Sequence, residues 1–421
     1  MTVSMTHELV DELSRYNRHS NDGRLPEARM VPSFENTAAM VREEAPDYPV
    51  HCFCPADLLQ RVDLFVDNFP GKVGFAVKSN GEPLVIEQLV NSRLAFFDAA
   101  SLAEIELVRS MDANAVILYD NPVKSREEIR QAYFIHGVRS FALDDEKELE
   151  KIHSIIGDDP SVQLTVRFKI KGAFAAQDLN SKFGASPDQA TRLLSMVDAA
   201  GYRAALTFHP GSQCYSPSAY SDFIYAAAMI SEKAGVDIVM LNVGGGFPAH
   251  YENSDVPELA DYFDAIRVQF NRYFDSESCE LVCEPGRALV ATSGSLVCRV
   301  KHRRDGNVIF LNDGIYGGFM EQLVAYFKLP RLTYRGDKLL QDELEEFTVY
   351  GPTCDSSDCF KETIGLPASI AEGDWIEFGL SGAYGSTTTT RFNGYASDQY
   401  VIVEEGSEFP TPRGIQGQSH K

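Results

Sequence analysis

Eight short apolar runs constrain this chain more than any other feature of its sequence. They stand at 73–77 (VGFAV), 94–97 (LAFF), 115–119 (AVILY), 139–143 (RSFAL), 163–168 (QLTVRF), 204–208 (AALTF), 237–243 (DIVMLNV) and 280–283 (ELVC). Short runs without polar alternation suit strands buried on both faces, the condition of a parallel sheet. Between them the apolar residues shift to helical spacing. The stretch from Ala56 to Phe65 puts Leu58, Val62 and Phe65 on one face, and Ser101-x-x-Glu104 is a capping-box signature ahead of Leu102–Val108. Strand and helix alternating eight times predict an α/β fold, a (β/α)8 barrel of the TIM type. A doubly wound open sheet is the alternative, but no G-x-G-x-x-G opens the first helix.

After about residue 290 the rhythm changes. Ser295–Lys301 and Asn307–Leu311 flank Asp305-Gly306, a hairpin signal, and further β-like runs follow at 345–350, 374–379 and 399–403. These predict a C-terminal antiparallel β-domain. The expected plan is therefore an irregular N-terminal segment over 1–50 associated with that β-domain, a barrel over 51–290, the β-domain over 291–404 and a disordered tail over 405–421. A chain of 421 residues is long enough for two cores.

Charge removes whole classes of partner. With 38 basic and 61 acidic residues the net charge is −23, which repels nucleic acid and anionic membrane surfaces. The eight cysteines lack C-x-x-C spacing, so reduced thiols and no metal site are expected. Residues 1–22 carry no apolar h-region and no run is long enough to span a bilayer, so the expected location is the cytoplasm.

Barrels of this type do their chemistry where strands end. Here the first run ends on Lys78 and the second on Asp98, and the fifth contains Arg167. The sixth leads into His209-Pro210-Gly211-Ser212, the seventh into Gly244-Gly245-Gly246 and the eighth into Glu284-Pro285-Gly286-Arg287. Alone, each has an ordinary explanation: a snorkelling lysine, a structural histidine, a tight turn, a surface turn. Together they offer an amine for a Schiff base, a flat ring to stack, a carboxylate for a pyridine nitrogen and a basic phosphate clamp. That is the set pyridoxal 5'-phosphate requires. Burial is expected to lower the pKa of Lys78 and free its amine.

The segments FAVKSN (75–80), FFDAAS (96–101), KFGAS (182–186), FHPGSQC (208–214), NVGGGFP (242–248), CEPGR (283–287), NDGIYGGF (312–319), YGPTCDSSD (350–358), GAY (382–384) and FNGY (392–395) occur in this order. The chain thereby resembles the ornithine decarboxylase family, pyridoxal phosphate decarboxylases with an alanine-racemase-like barrel and a β-domain. The resemblance implies that Lys78 carries the cofactor, Glu284 holds its ring nitrogen and His209 stacks on the ring. Arg287, Gly286, Ser212, Gly244–Gly246 and Tyr384 would surround the phosphate, with Asp98 and Arg167 nearby in the pocket. It further implies a homodimer with shared sites, in which Cys354 reprotonates Cα, Asp355 holds the distal amine of an amino-acid substrate bound by the other subunit, and Tyr316 also binds that substrate. Lys182 and Asp358 would bridge the subunits.

One departure bears on substrate. The family's ornithine enzymes carry an acid six positions after the phenylalanine of the NDG-x-YG-x-F segment; here that position is Ala325. An alanine leaves an ammonium unpaired, and a buried unpaired charge is costly. Gln213 is similar to the diaminopimelate decarboxylase branch, whereas CDSSD is closer to the ornithine branch. The expectation is α-decarboxylation of an ornithine-related or N-substituted diamino acid, as in alkaloid biosynthesis. Ordinary ornithine or lysine decarboxylation in polyamine synthesis is the alternative. A catalytically silent regulatory paralogue is the alternative of another class.

Overall fold

The computed structural model describes residues 31–172, 175–177 and 181–409. All eight apolar runs become barrel strands. β1 (Lys72–Ala76), β2 (Phe96–Ala99), β3 (Ile117–Tyr119), β4 (Ser140–Leu143), β5 (Gln163–Arg167), β6 (Arg203–Thr207), β7 (Met240–Asn242) and β8 (Glu280–Cys283) form a closed ring. Each pairs parallel with its chain neighbours, and β8 returns to β1 through Val282↔Lys72 and Cys283↔Val73.

The two-residue period sorts each strand's side chains between the inside of the ring and its jacket of helices. Phe75, Phe97, Ile117, Phe141, Leu164, Leu206 and Leu241 join the buried helix residues in one continuous core. Phe96, Leu118, Ala205, Met240 and Val282 form a separate small cluster, the filling of the ring itself. Gly74 makes that filling possible: a Cβ there would lie 2.3 Å from the Phe96 ring. The helix Pro55–Asn68 buries Leu58, Val62 and Phe65, the face expected from spacing. At the helix Leu102–Met111, Ser101 Oγ accepts the Glu104 N–H at 3.2 Å, but the Glu104 carboxylate reaches back to Ala100 N–H at 2.6 Å. The reciprocal bond of a capping box is thus shifted by one residue.

The second sheet is mixed. The long strand Gly294–Arg304 pairs antiparallel with Val50–Phe53, Trp375–Phe378 and Val308–Leu311, the last through the hairpin at Asp305-Gly306. Three other pairings are parallel: Ser33–Phe34 and Val50–Phe53 with Gln399–Val403, and Val308–Leu311 with Leu344–Tyr350. These join segments distant in sequence, which no hairpin forces to run antiparallel. The expected antiparallel β-domain is therefore antiparallel in most of its pairings only. Val50–Phe53 lies in this sheet, so the barrel begins with the helix at Pro55 rather than at residue 51.

Residues 405–409, expected to belong to a disordered tail, are instead tied to the sheet. Glu405 N–H donates to Glu35 O at 2.9 Å, and Ser407 Oγ donates to the Glu377 carboxylate at 2.8 Å. Residues 1–30 and 410–421 lie outside the described residues. Glu377 is 1% exposed and also accepts from Thr37 Oγ1 (2.8 Å), Ser295 Oγ (2.6 Å) and Tyr334 Oη (2.9 Å). One carboxylate thus ties the N-terminal helix, two strands and residue 407 together. Glu377→Ala leaves four hydroxyls without their acceptor and is expected to cost about 3 kcal/mol in urea unfolding, with Glu377→Gln costing less. Among the described residues no helix is long and apolar enough to cross a membrane.

Candidate active site

A cavity of about 370 Å3 opens at the C-terminal end of the barrel. Lys78, His209, Ser212, Gly245, Gly246, Glu284, Gly286, Arg287 and Tyr384 line it, all of them expected from sequence. β1 stops at Ala76, so Lys78 sits in the 3-10 turn Val77–Ser79 and not on the strand. That turn is fastened on three sides. Ser79 Oγ donates to Ala76 O at 2.8 Å, Tyr384 N–H to Ser79 O at 2.8 Å, and Asn80 Nδ2 to Gly382 O at 2.8 Å. The last two bonds tie the lysine's turn to the β-domain.

Lys78 Nζ donates to Asp98 Oδ2 at 2.7 Å. The Asp98 side chain is 2% exposed, whereas that of Lys78 is 41% exposed and opens into the cavity. The depressed lysine pKa expected from burial is overturned. Burial does pull it down, but Asp98, Tyr384 and Glu284 outweigh that and raise it, so the amine is held as an ammonium. His209 is the converse case: burial, with Arg167 and Lys78 adding to it, pushes its pKa well below the usual value. The neutral ring accepts the Gly211 N–H at Nδ1 (3.0 Å), which leaves its proton on Nε2.

The glycine turn after β7 is a cradle. Gly244 has φ 68° and Gly246 φ 92°; a Cβ on Gly246 would lie 2.4 Å from Gly211 O, and one on Gly245 would lie 2.8 Å from Glu284 O. Gly246→Ala must push two backbones apart in a left-handed conformation. It is expected to lower stability by about 2 kcal/mol or more in urea unfolding.

Arg287 supplies the cavity's fixed positive charge. Nη1 donates to Tyr251 Oη (2.9 Å) and Glu321 Oε2 (3.0 Å), and Nη2 donates to Ser212 Oγ (3.3 Å) and Glu321 Oε1. Its Nε is buried without a hydrogen-bond partner. A guanidinium gripped through both terminal nitrogens by a carboxylate is presenting the fork that binds phosphate. With the glycine cradle on one side and Lys78 on the other, the residues present fit a phosphorylated aldehyde.

Residues 56–291 match the family described as pyridoxal-dependent decarboxylase, pyridoxal binding domain. The chain belongs to this family. A protein of Aspergillus flavus named decarboxylase flvG is 35% identical over 347 residues, 78% of this chain and 79% of that one. The lysine/ornithine decarboxylase of Selenomonas ruminantium is 30% identical over 80% of this chain and 84% of its own. A crystal structure of lysine/ornithine decarboxylase from Vibrio vulnificus complexed with cadaverine superposes with a TM-score of 0.77 at 28% identity, covering 88% of this chain and 98% of that one. The protein is a pyridoxal phosphate-dependent decarboxylase.

Other expected site residues of this decarboxylase do not line the cavity within one chain. Cys354 is exposed, its N–H donating to Asn393 Oδ1 at 3.1 Å. Asp355 Oδ2 accepts from Tyr316 Oη at 2.6 Å. Asp358, expected to meet Lys182 of a second copy, is 1% exposed and accepts the N–H groups of Ile315 (2.9 Å) and Thr353 (3.0 Å). Ala325 is buried against the barrel core, just after the 3-10 helix Met320–Leu323. Met320, Glu321 and Val324 form the cavity wall there. Arg167 packs over the Phe183 ring, 5.5 Å from its centroid.

Sequence reasoning missed Asp120 and Asn242. Asn242 Nδ2 donates to Glu284 Oε1 and, at 3.2 Å, to Asp120 Oδ2. Asp120 follows β3 as Asp98 ends the second apolar run, so the strand-end rule that found the others could have found it.

Proposed function

We propose that this decarboxylase removes the α-carboxylate of an ornithine-related amino acid whose distal nitrogen is substituted, releasing the amine and carbon dioxide. The observation that carries the reaction is the meeting of Lys78, His209, Glu284 and Arg287 in one cavity. The substrate half rests on the wall made by residues 320–325. Met320 and Val324 are apolar, and Ala325, buried just behind them, offers no charge where the ornithine enzymes carry an acid. Such a wall suits a bulkier, less simply cationic side chain than ornithine's.

Bound pyridoxal phosphate supplies an electron sink for the pair left at Cα as carbon dioxide departs. The chain's own residues do the rest. Arg287 and the glycine turn would hold the phosphate, which requires Glu321 to leave the guanidinium. Lys78 Nζ would carry the cofactor, giving up its ammonium proton beside Asp98 Oδ2. Neutral His209 would pack against the ring and add no competing charge. Glu284 would keep the ring nitrogen protonated.

Cys354 and Asp355 would serve the cavity of a second copy, Cys354 Sγ delivering the proton to Cα and Asp355 meeting the far end of the substrate. Exposed apolar residues on the 320–325 segment, Leu323 (58%) and Val324 (73%), support that face as an interface. The test is carbon dioxide release across a set of diamino acids and their N-substituted forms. Release from a substituted form at least tenfold faster than from ornithine or lysine is expected, by about 1.4 kcal/mol in the barrier. Turnover of free ornithine at the higher rate would overturn the substrate assignment.

A further inference from the structure

Three carboxylates crowd the base of the cavity. One oxygen each from Asp98, Asp120 and Glu284 lies within 4.8 Å of the others. Asp98 is accounted for, since Lys78 Nζ donates to it at 2.7 Å. Asp120 and Glu284 are not. What lies between them is the Asn242 amide, whose Nδ2 donates to an oxygen of each. The amide cannot turn over, because its Oδ1 accepts the Gly244 N–H at 2.8 Å. Asp120 Oδ1 is buried with no hydrogen-bond partner.

The charged groups facing this spot are Lys78 and Arg167 on one side of the ledger and Asp98, Asp120 and Glu284 on the other. Two cations against three anions leave one negative charge in excess in a low-dielectric site. Like carboxylates that share a site cannot both ionise without penalty, and a proton between them removes it. Burial and their neighbouring acids push both carboxyls above the ordinary range.

We propose that Asp120 is a positioning residue that holds one proton in common with Glu284 in the cofactor-free protein and gives it up when pyridoxal phosphate arrives. The exchange balances: the ring nitrogen of free pyridoxal phosphate is already protonated at neutral pH, so the shared proton leaves to solvent and both carboxylates stand ionised against the ring's positive charge. Asp120 then adds a second negative charge near the ring nitrogen and keeps it protonated. The release of the proton rests on Glu284 facing the ring nitrogen, as proposed above; the shared proton itself does not.

Two measurements separate these. In the cofactor-free protein at neutral pH, the infrared carbonyl band of a protonated carboxylic acid is expected to weaken equally in Asp120→Asn and Glu284→Gln. A band unchanged in both variants would overturn the shared proton. Titrating pyridoxal phosphate into the cofactor-free protein by calorimetry, in buffers of different ionisation enthalpy, then counts protons. Asp120→Asn is expected to release about one proton fewer per chain than the wild type, because it has no shared proton to give up. Equal counts with the band lost would sink the release step and the placement of Glu284 at the ring nitrogen, while leaving the shared proton standing. A purely structural role for Asp120 would move neither readout.

Discussion

Lys78→Ala is expected to lose at least about 10⁴-fold in decarboxylation, since both the covalent anchor and a positioned proton carrier disappear together. The fold should survive. Lys78 packs little, its side chain is 41% exposed, and its turn is held by the Ser79 and Asn80 side chains and the Tyr384 N–H, bonds that alanine leaves in place. The variant is expected to bind pyridoxal phosphate non-covalently through Arg287 and the glycine turn, and to resist labelling by borohydride. Wild-type protein treated with borohydride should carry the reduced cofactor on the peptide containing Lys78. Retention of activity in Lys78→Ala, or a label mapped to another lysine, would contradict the placement of the chemistry.

A second large effect belongs to Cys354, which lies on an exposed loop outside the cavity of its own chain. If its thiol serves the cavity of a second copy, Cys354→Ala should cost about 10²–10⁴-fold, the range of one positioned proton donor. The decisive version mixes two inactive proteins. In a two-fold dimer formed from Lys78→Ala and Cys354→Ala chains, one site collects both substitutions and the other collects neither. After random exchange of subunits, activity should return to about a quarter of the wild-type level. Recovery absent despite proven exchange would place the working thiol within its own chain.

The barrel was legible because its signal is local. Each strand is a run of adjacent apolar residues, and each strand end exposes polar residues at a place the fold reserves for chemistry. Lys78, His209, Glu284 and Arg287 were found in that way. What escaped depends on distant pairing. Val50–Phe53 has only four residues and takes its identity as a strand from Gly294–Arg304 and Gln399–Val403 on either side. The mixed character of the second sheet has the same origin. The sign of the Lys78 shift also escaped, because it is decided by how closely Asp98 (2.7 Å), Tyr384 and Glu284 gather round the amine, which no spacing encodes. Glu321 sits beside Ala325 in the sequence, yet its hold on Arg287 follows from the turn of one short 3-10 helix.

In this account Lys78 carries the reaction and residues 320–325 choose the substrate. Carbon dioxide release from carboxyl-labelled ornithine by the wild type and by Ala325→Asp tests that division most directly. The substitution places a carboxylate at a position that carries no charge, and a buried charge pair of this kind is worth about 1.4 kcal/mol or more, a tenfold gain in kcat/KM. The predicted result is weak release from ornithine by the wild type and at least that gain in the variant. Rapid release by the wild type, left unchanged or diminished in Ala325→Asp, would contradict it.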